Sequence, residues 1–180
     1  MVKMKIILLA LTAVIIMENC NQSNTSEKVK VSGSTEHISI KATNIISGYT
    51  SSKVESVGDD ESSPTGNMLF SSDSVIVLEE TDTIHAKLGV QFGTVFNLIS
   101  GDTSQVLLKF KEVWHFPEGM TDLYGNPMES HPMMVEFIVN GGRQYSCYMF
   151  EEEHELVKGR WIVETYFGKK LLFKKSYIVR

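Results

Sequence analysis

The chain has 180 residues, and its 22 acidic residues outnumber 17 Lys and Arg for a net charge of −5. A mildly acidic surface repels nucleic acid and anionic lipid headgroups, which both need clustered Lys and Arg, so neither DNA nor RNA is an expected partner. Cys20 and Cys147 are the two cysteines, too few for a disulfide-stapled scaffold.

Residues 1–19 read as a signal peptide. Lys3 and Lys5 give a short basic start, and residues 6–17 are apolar apart from Thr12. A bilayer-spanning helix needs about 20 apolar residues, so this stretch has the length of an export signal instead. Cys20 closes the segment, and Asn21-Gln22-Ser23-Asn24-Thr25-Ser26 begins a polar tether over residues 20–35 that contains little able to pack. A signal, a terminal cysteine and a tether form the layout of a bacterial lipoprotein, with Cys20 lipidated and the folded part held at a membrane. Met17-Glu18-Asn19 stands where lipoprotein signals carry small residues, which keeps ordinary secretion and an uncleaved anchor as alternatives. The expected address is the bacterial cell envelope, at the outer membrane or facing the periplasm.

Residues 36–180 read as one β-sandwich domain. Ile38 and Ile40 alternate with Ser39 and Lys41, the period of a half-buried strand, over residues 36–49. Residues 50–74 interrupt the pattern with eight serines, five acidic residues, Pro64 and Gly66. A loop of that length is either functional or disordered, and Asn67-Met68-Leu69-Phe70 is the part able to dock back. Strands are then expected at residues 75–78, 88–99, 106–115, 133–139, 144–150, 161–167 and 171–179. Gly101-Asp102, Gly119, Gly125-Asn126-Pro127, Gly141-Gly142, Lys158-Gly159 and Gly168 supply turn chemistry between them. Short strands without a helical period predict an all-β, immunoglobulin-like antiparallel sandwich of seven or eight strands.

Alternation selects Phe92, Phe96, Phe110, Trp114, Phe137, Tyr148, Trp161, Val163 and Tyr166 for the interior or the sheet margins, with Trp161, Val163 and Thr165 as one inward set. Cys147 reads as an inward-pointing small hydrophobe. No neighbouring cation is placed to depress its thiol for nucleophilic work.

Two segments carry a family resemblance. One runs Glu79-Glu80-Thr81-Asp82-Thr83-Ile84-His85-Ala86-Lys87-Leu88-Gly89-Val90-Gln91-Phe92-Gly93; the other is Leu156-Val157-Lys158-Gly159-Arg160-Trp161, followed by a closing hairpin. Together they resemble a small, uncharacterised family of exported bacterial immunoglobulin-like domains. Its pattern is acidic-Thr-Asp, then Gly-x-x-Phe-Gly, then Leu-x-x-Gly-x-Trp. His85 and His154 depart from it, standing in place of a proline and an aromatic. The resemblance implies a fold and carries no catalytic residue with it.

Several clusters invite metal chemistry. Glu151-Glu152-Glu153-His154-Glu155 lacks the second histidine of a zinc-protease helix, because Lys158 stands four residues after His154. It reads as a solvated acidic turn. Asp59-Asp60-Glu61 lacks the alternate spacing of a calcium loop and reads as a solvated loop. His115, His131 and Asp122 flank or occupy one loop, so their convergence on a metal is the one arrangement left to test. No nucleophile elbow, phosphate loop or dinucleotide fingerprint is present.

These readings predict a membrane-tethered envelope lipoprotein, anchored through Cys20, that acts as a non-catalytic binding or assembly module without a cofactor or resident metal. Its ligand would be a protein, peptide or glycan. The favoured contact residues are Tyr124 and Met128, which add apolar surface to a rigid turn. The alternative is a metal-dependent or ligand-carrying periplasmic protein that uses the 115–131 region.

Overall fold

The computed structural model describes residues 39–71 and 75–180. The expected signal peptide 1–19, the tether 20–35 and Cys20 lie outside the described residues. Among those described, no helix is long and apolar enough to cross a membrane.

Two sheets face each other. The first has the order β4 (Ile76–Glu80), β1 (Lys41–Ser51), β6 (Gln91–Ile99) and β9 (Arg143–Met149). The second has the order β5 (Thr83–Ile84), β11 (Lys170–Val179), β10 (Gly159–Phe167), β7 (Val106–His115) and β8 (Ser130–Val139). A separate hairpin joins β2 (Ser56–Asp59) to β3 (Asn67–Phe70). The immunoglobulin-like sandwich read from the sequence is therefore present, with nine strands in its two sheets. The strand beyond the expected eight is β5, two residues long and parallel to β11, too short for periodicity to register. All other pairings in the two sheets are antiparallel.

Period-two burial runs along the central strands. On β6, Phe92, Thr94, Phe96 and Leu98 face inward; on β10, Trp161, Val163 and Thr165 do, as the alternation predicts. Their side chains make two adjoining cores. In one, the Phe92 ring lies 5.1–6.0 Å from the rings of Trp114, Tyr148, Phe150, Trp161 and Tyr177. The other gathers Phe96, Phe110, Phe137 and Phe173, with Phe96 and Phe173 at 4.6 Å. Tyr166 instead falls at an outward position of β10, where its hydroxyl donates to Glu164.

β8 begins at Ser130, three residues before the expected strand, because its ladder with β7 continues to the pair Ser130 and His115. Pro132 lies within it. Proline has no N–H to give a second neighbour, and β8 is an edge strand that needs none.

Candidate functional site

Where the edge strands β8 and β9 face each other, the sandwich opens into a cleft. The β2–β3 hairpin, drawn from the serine-rich stretch 50–74, lies along it. Ser63 and Thr65 in the hairpin turn are buried, so this stretch is not a free loop. Polar contacts fix it at several points. Tyr145 donates to the Ser71 carbonyl at 2.6 Å, Thr65 Oγ1 donates to Glu151 at 3.2 Å, and the His154 ring meets the Pro64 carbonyl at 3.1 Å. Asp60, expected in solvent, lies 3.2 Å from His131 Nε2 and accepts both the Ser62 N–H and the Ser62 hydroxyl. Partial burial pushes its carboxyl up, but the Ser62 hydrogen bonds and the charge of His131 outweigh this and hold it below the ordinary value.

The cleft has a volume of about 710 Å³, lined by the hairpin and by β7, β8 and β9. Trp114, Tyr148, Met68 and Met133 give it apolar walls, and Glu112 and Ser146 give it a polar floor. Glu112 is 4 % exposed and accepts a hydrogen bond from Trp114 Nε1 at 2.9 Å. Burial drives its acid up to about 7, against the opposing influence of Ser146 and Trp114. Ser146 is 3 % exposed, and its Oγ stands beside the Glu112 carboxyl, where its hydroxyl opposes the rise of that acid.

Glu155, also in the lining, is treated differently. The chain after β9 makes a short 3₁₀ turn, Glu153–Glu155, that swings this side chain inward. Its carboxyl accepts the Tyr148 hydroxyl and the backbone N–H groups of Glu151 and Glu152, both at 2.7 Å. The acidic turn is thus not wholly solvated, because two backbone donors and a phenol need an acceptor there. Burial raises the Glu155 acid, and pushes the Tyr148 phenol further from ionisation.

The histidines do not converge. Trp114 pairs with His131 and His115 with Ser130 across β7 and β8, so alternation sends His131 inward with Trp114 and His115 to the opposite face. His115 there meets Glu164 at 3.1 Å, and Lys174 meets the same carboxylate at 2.9 Å. Hydrogen bonds from Tyr166, Lys174 and His115 hold the Glu164 acid down at about 2. Asp122 uses both oxygens within its own turn. Among the described residues no group of three His, Cys, Asp or Glu is arranged to hold a metal ion. The metal set drawn from the 115–131 region is therefore corrected.

Cys147 lies on the face of β9 opposite to Ser146 and Tyr148, so it does not point between the sheets as expected. Thr50 donates to its sulfur at 3.6 Å, and burial pushes the thiol up to about 12, which leaves it un-ionised.

The segment between β7 and β8 prolongs their hairpin. Phe116 N–H donates to the Glu129 carbonyl at 2.9 Å, and Met128 N–H to the Met120 carbonyl at 2.9 Å. Met120 is buried in the aromatic core and Met128 packs against it. At the tip, Asp122 Oδ1 accepts the N–H groups of Tyr124 and Asn126, both at 2.8 Å, while Oδ2 accepts the Asn126 side-chain amide at 2.8 Å. Those bonds, the Asn126 side chain foremost, lower the Asp122 acid. The clamp leaves Leu123 50 % and Tyr124 85 % exposed. The two favoured contact residues are therefore divided, Met128 inward and Tyr124 outward.

Sequence reasoning missed Glu112 and Ser146. A signal existed: Glu112 interrupts the inward series Leu108, Phe110, Trp114 on β7. A carboxylate at an inward position of an apolar alternation marks a place where burial serves something other than packing.

Comparison with known proteins bears on fold and family. An immunoglobulin-like protein of Pseudomonas aeruginosa is similar in structure, with a TM-score of 0.55 and 22 % sequence identity, over 79 % of this chain and 97 % of that one. An alkylpurine DNA glycosylase of Pseudomonas fluorescens, bound to DNA with an abasic site analog, aligns with a TM-score of 0.37 and 15 % identity, over 55 % of this chain and 28 % of that one. That score carries no argument. No curated protein sequence matches the chain. Residues 51–179, from the end of β1 to the end of β11, match the sequence profile of the family described as a domain of unknown function, DUF3859, and the chain belongs to that family.

Proposed function

We propose that this protein is a membrane-tethered component of the bacterial cell envelope whose immunoglobulin-like body is a non-catalytic binding module. The carrying observation is the tip of the β7–β8 hairpin, where Asp122 holds Tyr124 85 % exposed on a turn of fixed shape. Tyrosine contributes large contact area with little side-chain entropy to lose, and a turn already ordered loses little more on binding. Leu123 adds apolar surface beside it, adjoining Gly66 of the hairpin turn. A protein, peptide or glycan surface suits such a knob better than a small molecule does. The polar candidates for catalysis serve other purposes: His115 pairs with Glu164, His131 with Asp60, and Cys147 is held as a thiol.

A photo-crosslinking residue in place of Tyr124, in intact cells, tests the reading. It should trap a discrete partner that the same residue at Leu171, exposed on β11, does not. Equal labelling from both positions would set the tip aside. The tether is tested separately. Cys20→Ser should move the protein from the membrane fraction to the soluble fraction, and unchanged partitioning would refute lipidation.

A further inference from the structure

We infer that the cleft between β8, β9 and the β2–β3 hairpin is a binding site for a small organic cation, an amine carried on an apolar body. This site is distinct from the Tyr124 tip and stands independently of it. Its volume, about 710 Å³, falls among those of small-molecule sites, roughly 300–1,000 Å³. Trp114, Tyr148, Met68 and Met133 supply walls for an apolar body, with aromatic faces that also attract a cation.

The polar floor selects the head group. A carboxylate can accept about four hydrogen bonds, and Glu112 has Trp114 Nε1 and the Ser146 hydroxyl to draw on. Ser146 Oγ lies buried beside it, with its hydroxyl placed to donate to the carboxyl. Even with the Ser146 hydroxyl turned toward the carboxyl, both oxygen groups keep acceptor capacity that a further donor would fill. The charged residues around the cavity decide its sign. Lys109 stands across the β7–β8 ladder from Glu136, and His131 is engaged by Asp60. Glu155 is saturated by Tyr148 and two backbone N–H groups, and Glu151 accepts Thr65. Glu112 is left as the buried carboxyl with acceptor capacity to spare and no cation beside it. Its burial disfavours ionisation, and an ammonium alongside would restore it.

Titration calorimetry at pH 8 with phenylbutylamine, phenylbutanol and phenylbutyrate separates charge from shape. The amine should bind about tenfold more tightly than the alcohol, and the carboxylate least. Glu112→Gln should abolish the preference for amine over alcohol while leaving alcohol binding in place. A parallel titration of the wild type at pH 5, where Glu112 is protonated, should lose the same preference, so the test survives if the variant fails to fold. A cavity that holds only water gives no binding of any probe and overturns the inference. So does an order of affinity that ignores charge, or one that persists in Glu112→Gln and at pH 5.

Discussion

The aromatic core and the cleft share strands β7 and β9, yet they are built on opposite terms. Around Phe92, ring meets ring, and polar atoms are met locally: the Tyr177 hydroxyl lies 2.7 Å from Thr94 Oγ1, and Trp161 Nε1 donates to the Val157 carbonyl at 2.9 Å. Thr165 Oγ1 has no partner among the described residues, but a lone hydroxyl is far cheaper to bury than a carboxyl. At Glu112, two residues before Trp114 on the same face of β7, a carboxyl is buried against Trp114 and Ser146 with no counter-charge beside it. The core gains stability from its burial, whereas the cleft retains a group whose burial costs stability. Such a cost persists most readily where it serves binding.

The largest expected effect tests the core side. Trp161→Ala removes a fully buried ring and should cost on the order of 3–5 kcal/mol. Domains of this kind hold about 5–15 kcal/mol in total, so most of the cooperative melt should disappear. An unchanged melting temperature would erase the distinction between the two regions.

Next comes the cleft's carboxyl. The folded Glu112 keeps its proton up to about pH 7, whereas the ordinary value is 4.5. Between those values the native state binds the extra proton, so this group's contribution favours folding at low pH and is lost as pH rises. The loss amounts to on the order of 3 kcal/mol. Glu112→Gln lacks this dependence. In urea unfolding, the variant should gain on the wild type from pH 5 to pH 8, and a constant difference would mean the carboxyl is already compensated.

A smaller effect probes the close approach of β6 to β9. Gly93 lies on β6 opposite Cys147, and a Cβ there would come 2.3 Å from the Ser146 carbonyl oxygen and 2.6 Å from Cys147 Cα. Backbone cannot yield as a flexible side chain would. Gly93→Ala should cost about 1–3 kcal/mol, and calorimetry showing no change would mean that β9 shifts freely beside the cleft. The smallest effect lies outside both regions. Tyr124→Ala should stay within about 0.5 kcal/mol of the wild type in urea unfolding, since the ring packs against little.

Much of this architecture was legible because strand periodicity reports burial directly. Trp161, Val163 and Thr165 fell on one face because each inward position is two residues from the last. What escaped was set by contacts distant in sequence. Asp60 is brought to His131 by a hairpin folding across an edge, and Glu155 turns inward to serve backbone donors. Neither leaves a periodic mark. Cys147 was misplaced for a subtler reason: β9 has covered residues on both faces, so apolar character alone did not reveal which face looks inward. Tyr124 and Met128 had equal claims as turn residues, and the prolonged β7–β8 hairpin separated them.

The position of β11 has a consequence for biogenesis. This strand, residues 170–179, lies between β5 and β10 and brings Tyr177 and Val179 into the aromatic core. Its partner β5 precedes it by nearly a hundred residues, so the second sheet cannot close while β11 is still inside the ribosome. A nascent chain with this order of strands holds its second sheet open until residues 170–179 have emerged, because long-range pairings must wait for both partners.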